Sequence, residues 1–222
     1  MTMNSIIFDM DGVIFDSESK VLECWQETAA KHGMGDVRDA FIKCIGTNSA
    51  RSKEIFLEHY GADLPYDEYR TEMSALFHER YDGGRLPMKK GIREILEALK
   101  NAGWSVALAS STRRAVVMEQ LGAAGLAGWF DVVIGGDMIA RSKPAPDIFL
   151  AAAEELHADP SETYVVEDSY NGIRAAYDGG FIPIMVPDML PPDDEMRSKA
   201  RYILHDLFEV KELLLSEIPI HE

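Results

Sequence analysis

Apolar residues recur along this chain in two rhythms. Short unbroken runs occur at 5–8 ("SIIF"), 104–110 ("WSVALAS"), 131–136 ("DVVIGG"), 163–168 ("TYVVED") and 181–186 ("FIPIMV"). Runs of this length, rich in Val and Ile, predict strands buried on both faces. Between them the spacing changes to that of a helix. Ile92, Ile95, Leu96 and Leu99 follow it, and so do Thr112 to Leu121, "PDIFLAAAEEL" at 146–156 and "NGIRAAYDGG" at 171–180. Gly103 suits the position just past a helix C-terminus, and Pro146 the first turn of a helix. The tail, "YILHDLFEVKELLLSEI" at 202–218, gives a weaker strand and a last helix. Strands alternating with helices of about ten residues predict an α/β fold, a parallel sheet covered on both faces.

One stretch breaks this alternation. From about Ser17 to Arg80 there is no strand-like run, only helical patterns such as "VLECWQETAAKHG" and "RSKEIFLEHYG", each closed by a glycine. We read an all-helical insertion over residues 17–83, with 1–16 and 84–222 forming the core. Hinges are expected near 14–18 and 80–88, where "YDGGRLP" supplies glycines and a proline.

Composition narrows the function. With 38 acidic and 22 basic side chains the formal charge is −16, which repels nucleic acid and anionic lipid. Neither is an expected partner. The same charge repels phosphorylated small molecules at long range, so an anion site must be built locally. No apolar run nears the roughly 18 residues of a membrane span, and the N-terminus lacks a signal-peptide pattern. Cys24 and Cys44 fit no metal-ligand spacing, and both are expected to be reduced in a cytoplasmic protein.

Every predicted strand ends in small or polar residues, and in an open parallel sheet such ends converge on one rim. "DMDG" follows the first strand. Residues two apart on extended chain face the same way, so Asp9 and Asp11 pair while Met10 turns to the core. Paired carboxylates raise each other's pKa unless a cation offsets them. A lone D-x-D is more often a cap or a solvated turn. "ALASST" brings Ser110 to a strand end, where its hydroxyl and the amides from Ser111 onward suit phosphate oxygens; Thr112 is better read as a helix cap. In "RSKPAPDIF", Pro144 and Pro146 stiffen the backbone around Lys143, a point charge for an anion. "VVEDSYNG" ends a strand in Glu167 and Asp168, and such hard oxygen ligands suit Mg²⁺; Asn171 and Gly172 open the next helix. The shared location and order of the four clusters strengthen each.

Together "DMDGVIFDS", "ALASS", "SKPAPDIF" and "VVEDSYNG" resemble the four motifs of the haloacid dehalogenase superfamily, in its β-phosphoglucomutase-like branch. The resemblance spans nearly the whole chain. It implies a Rossmann-like parallel core carrying a helical cap of the C1 type, and a Mg²⁺-dependent phosphatase. By motif, Asp9 would be the nucleophile and Asp11 the acid and base. Mg²⁺ would be held by Asp9, the Asp11 carbonyl and Asp168, with Glu167 close by. Ser110 and Lys143 would bind the phosphoryl oxygens, Asn171 would orient its loop, and Ser111 would touch phosphate or substrate. The presence of Asp11 favours phosphoryl chemistry over carbon–halogen cleavage.

The branch also contains mutases, whose cap histidine partners the acid/base aspartate. The matching position here is Val21, or Lys20 in a shifted alignment, and the phosphate-loop arginine is matched only by Arg51, displaced by about two residues. These departures favour hydrolysis over isomerisation. Arg51, Lys53 and His78 are the cap side chains expected to reach substrate, against the commoner fate of solvated helix residues. Ser17 and Glu18 fall at the hinge, and Asp16 suits a helix N-cap. The expected substrate is a small phosphorylated sugar or polyol, met by a monomer or weak dimer. A phosphohexomutase, a non-catalytic binding protein on the same scaffold and a phospho-acceptor receiver domain are the competing readings.

Overall fold

The computed structural model describes residues 4–47 and 49–216. The five apolar runs form β1 (Ser5–Phe8), β2 (Ser105–Ser110), β3 (Val132–Gly135), β4 (Thr163–Glu167) and β5 (Ile182–Met185). A two-residue β6, Tyr202–Ile203, completes the sheet. All pairings are parallel, in the order β3-β2-β1-β4-β5-β6. This is the α/β, Rossmann-like arrangement expected. The chain winds outward from β1 through β2 to β3, then returns to β4 on the other side of β1. That reversal opens a crevice beyond the C-terminal ends of β1 and β4.

Between β1 and the rest of the core come α1 (Ser17–Lys31), α2 (Arg38–Cys44), α3 (Ser49–Tyr60) and α4 (Tyr66–Tyr81). They enclose a hydrophobic cluster of their own, including Leu22, Trp25, Phe41, Phe56 and Met73. Trp25 packs on Phe56 with ring centroids 4.6 Å apart. The two chain crossings into this unit run side by side. The Asp16 amide donates to the Pro87 carbonyl at 2.9 Å, and the Lys89 amide to the Ile14 carbonyl at 2.8 Å.

The core helices follow as α5 (Ile92–Asn101), α6 (Arg114–Ala123), α7 (Asp147–Leu156), α8 (Tyr170–Asp178), α9 (Asp194–Lys199) and α10 (Leu207–Ser216). Alternating strand residues feed two layers. Ile6, Phe8, Val106, Leu108 and Val166 pack with α5 and α10, while Ile7, Ala107, Ala109 and Val165 pack with α7 and α8. Gly103 has φ +77° just beyond α5, the left-handed residue predicted there.

Two local points differ from the sequence reading. The helix after β2 begins at Arg114 rather than Thr112, because Thr112 is drawn into the site described below. The short α9 is not visible in the pattern: it is six residues long and buries only Met196. The last helix is described as far as Ser216, and Glu217 and Ile218 of the predicted tail lie outside the described residues. Both cysteines are free, and no described helix is long and apolar enough to cross a membrane.

Candidate active site

Strand register builds the site. Phe8 pairs with Leu108 on one side and Val166 on the other, and the Asp9 amide still donates to the Val166 carbonyl at 3.0 Å. The residues just past these strands must therefore meet. The chain then turns at Gly12, φ +76°, where a Cβ would strike the Asp168 carboxylate. Only glycine allows both the turn and the approach. Met10 is buried in the core, so Asp9 and Asp11 share the other side.

Lys143 ties the rim together. It is buried, follows β3 by a loop, and precedes Pro144 across a cis peptide bond. Its Nζ donates to Asp9 Oδ1 and to Glu167 Oε1, each at 2.6 Å. Burial opposes its charge, but Asp9 and Glu167 outweigh that effect and raise its pKa, so it stays an ammonium. Asp9 is pushed up to about 7, first by burial and then by Glu167 and Asp11, against the pull of Lys143. Glu167 is fixed further by the Ser169 amide, donating to Oε2 at 2.7 Å, and a Cβ at Gly172 would collide with its carboxylate.

Asp11 is held separately. Ser17 Oγ donates to its Oδ1 at 2.6 Å and Thr112 Oγ1 to its Oδ2 at 3.3 Å. Burial nevertheless raises its pKa, with those two hydroxyls opposing the shift. Ser17 and Thr112 were expected at a hinge and a helix cap. The cap of α6 comes instead from Asp137, whose Oδ1 accepts the Arg114 amide at 2.8 Å.

Ligand oxygens of Asp9, Glu167 and Asp168 lie within 4.8 Å of one another. Hard oxygens in this number, with burial first and neighbouring carboxylates second raising the pKa of Asp9 and Asp168, fit a divalent cation such as Mg²⁺. Glu18, Asp168 and Asp188 make a second such group. Neither Glu18 nor Asp188 stands out by spacing, since one lies on α1 and the other follows β5.

A cavity of about 580 Å³ rises from this floor. Asp9, Asp11, Ser111, Lys143, Glu167 and Asp168 line its base, and Val21, Phe41, Ile45, Phe77 and His78 are among its helical walls. Some expected contacts fall elsewhere. Ser110 is fully buried and its Oγ accepts the Thr112 amide at 3.1 Å, so it shapes the turn beneath the cavity. Asn171 donates from Nδ2 to the Gly46 carbonyl at 2.9 Å, joining the first turn of α8 to the α2–α3 loop. Arg51 lies outside, paired with Glu54 and Glu58, as does Lys53, paired with Asp67. His78 reaches the wall, but its Nδ1 is 3.0 Å from Asp82. Asp16 takes the N-cap position of α1 without a side-chain cap bond.

Residues 6–186 match the haloacid dehalogenase-like hydrolase family, and the chain belongs to it. Relatives narrow this further. A phosphorylated carbohydrates phosphatase of Thermotoga maritima is 31% identical over 181 residues, covering 80% of this chain and 82% of the relative. A bifunctional riboflavin kinase/FMN phosphatase of Arabidopsis thaliana is 29% identical over 210 residues, but the chain spans only 54% of its length. The crystal structure of CbbY from Rhodobacter sphaeroides in complex with phosphate superposes with a TM-score of 0.75 at 28% identity, over 94% of this chain and 96% of that one. The name β-phosphoglucomutase also occurs among the relatives. Family and relatives together identify an enzyme of the phosphatase type.

Proposed function

We propose that this protein hydrolyses a small phosphorylated metabolite, a sugar or polyol phosphate, through an aspartyl-phosphate on Asp9. The observation that carries the reading is the pair of 2.6 Å bonds from Lys143 to Asp9 and Glu167, at the foot of a cavity that also receives Asp11. A buried ammonium so fixed is suited to phosphoryl oxygens.

Asp9 attacks phosphorus as its carboxylate, forming the P–O bond to Oδ while the bond to the leaving oxygen breaks. Asp11, whose pKa burial raises, gives its proton to the departing alkoxide. It then takes a proton from the water that attacks the aspartyl-phosphate, releasing inorganic phosphate and restoring Asp9. Ser17 and Thr112 aim the Asp11 carboxyl through both stages. Mg²⁺, when bound by Asp9 and Asp168 with Glu167 beside them, supplies the charge that lets one anion approach another. Helices α1–α4 act as a cap over residues 17–83, screening the intermediate from bulk water. The free cysteines agree with a cytoplasmic setting.

The mutase reading has less support. Val21 lines the cavity but has no proton to exchange, Lys20 is engaged with Glu23, and Arg51 is turned away. The test is phosphate release from a panel of phosphorylated metabolites with Mg²⁺, using Asp9→Asn as control. Release that persists in that variant overturns the proposal. Conversion of β-glucose 1-phosphate to glucose 6-phosphate, without free phosphate, supports the mutase instead.

A further inference from the structure

Beside the expected metal position the chain places more carboxylate than one ion's direct ligands require. Asp9, Asp11, Glu18, Glu167 and Asp168 line one pocket, Asp188 brings an oxygen within 4.8 Å of those of Glu18 and Asp168, and the ammonium groups bonded to these carboxylates are those of Lys143 and Lys89. Asp168 belongs to both groups of close oxygens. It is 3% exposed and accepts no hydrogen bond among the described residues. On its outer side, Glu18 Oε2 and Asp188 Oδ2 are buried oxygens without a hydrogen-bond partner. Such atoms are costly unless something donates to them. No side chain does so here, although the other oxygen of Asp188 is anchored by Lys89 Nζ at 2.6 Å.

Mg²⁺ dehydrates reluctantly and keeps several waters when a protein binds it through one or two carboxylates. Those waters are strong donors in need of acceptors. We propose that Glu18 and Asp188 are positioning residues that accept hydrogen bonds from the waters of a Mg²⁺ ion on Asp168, without themselves ligating it. The pair comes from opposite parts of the molecule, Glu18 from the first turn of α1 and Asp188 from the segment after β5. The bound ion's water shell therefore links the helical unit to the core. This inference rests on the Mg²⁺ reading above.

The test is binding of Mg²⁺ alone to the metal-free full-length protein, followed by calorimetry, with circular dichroism checking each variant's fold. Wild type should bind one ion, and Asp168→Asn should lose it. Glu18→Gln and Asp188→Asn should each bind one ion about tenfold more weakly, the usual scale for outer carboxylates. Lys20→Gln, on the same helix but bonded to Glu23, should bind as wild type does. With Mn²⁺ in place of Mg²⁺, the number of metal-bound waters counted by electron–nuclear double resonance should match in wild type and Glu18→Gln. Unchanged affinity in both variants overturns the inference while leaving the metal reading intact. So does an additional bound water in Glu18→Gln, which would make Glu18 a direct ligand. Absence of Mg²⁺ binding in wild type overturns both.

Discussion

The floor and the walls of the cavity treat charge in opposite ways. On the floor, Lys143 is buried and shared between two carboxylates at equal distance. In the helical unit, Arg51 and Lys53 are about half exposed and pair with acids on the same surface, away from the cavity. A buried cation held by converging strand ends has one conformation and a strong local field. An exposed pair is screened and contributes little. On the proposed reading, an anion would meet this acidic chain at that one desolvated ammonium, with a bound Mg²⁺ offsetting the carboxylates around it.

Experiments can break this contrast. The largest effect should come from Asp9→Asn, which removes the carboxylate proposed to attack phosphorus while keeping the shape. Its phosphate release should fall on the order of 10⁴-fold or more, measured by single-turnover assay. Lys143→Ala leaves Asp9 and Glu167 crowded without their shared cation. It should cost about 3–5 kcal/mol of stability in urea titration, the scale for breaking a buried pair, along with most of the activity. Gly172→Ala drives a methyl group into the Glu167 carboxylate. It should cost about 1–3 kcal/mol by the same measurement, as for other overpacked sites.

Smaller in slope is the effect of pH on the metal-free protein. Asp9 has a folded pKa raised to about 7 from an ordinary 3.8, so between those values the folded state holds more protons than the unfolded one. Stability should therefore fall as pH rises from about 4 to about 7, by at most about 1.4 kcal/mol per unit for this group. Asp9→Asn should flatten the profile, and Mg²⁺ should offset the fall. The smallest effects belong to the helical surface. Arg51→Ala and Lys53→Ala should leave kcat/KM within about twofold and Tm within about 1 °C. A tenfold rise in KM for either would mean that these side chains swing into the cavity during turnover, and would erase the contrast.

The same divide governs what the sequence made legible. Apolar runs ending in acids revealed β1 and β4, and parallel topology then required those acids to meet. The prolines around Lys143 marked a cation with little freedom. Spacing could not say which way Arg51 would turn, because a solvated helix face and a cavity wall use the same residues. Nor could it foresee Ser17 and Thr112 bonding to Asp11: short hydroxyl residues at element starts usually cap, and their choice of partner is settled by tertiary approach. Ser110 shows a related ambiguity, since a strand-end hydroxyl can support the turn that follows as well as face a phosphate, and here its Oγ accepts the Thr112 amide.

The paired crossings at Ile14–Lys89 and Asp16–Pro87 have a consequence for variation in this architecture. Because the chain departs and re-enters at hydrogen-bonded neighbours, everything between is, to the sheet, a single long excursion. Its length and contents can be exchanged without altering which strand lies next to which. Most of the helical unit can thus vary above the strand ends, while Ser17, which opens that unit and donates to Asp11, is tied to the rim.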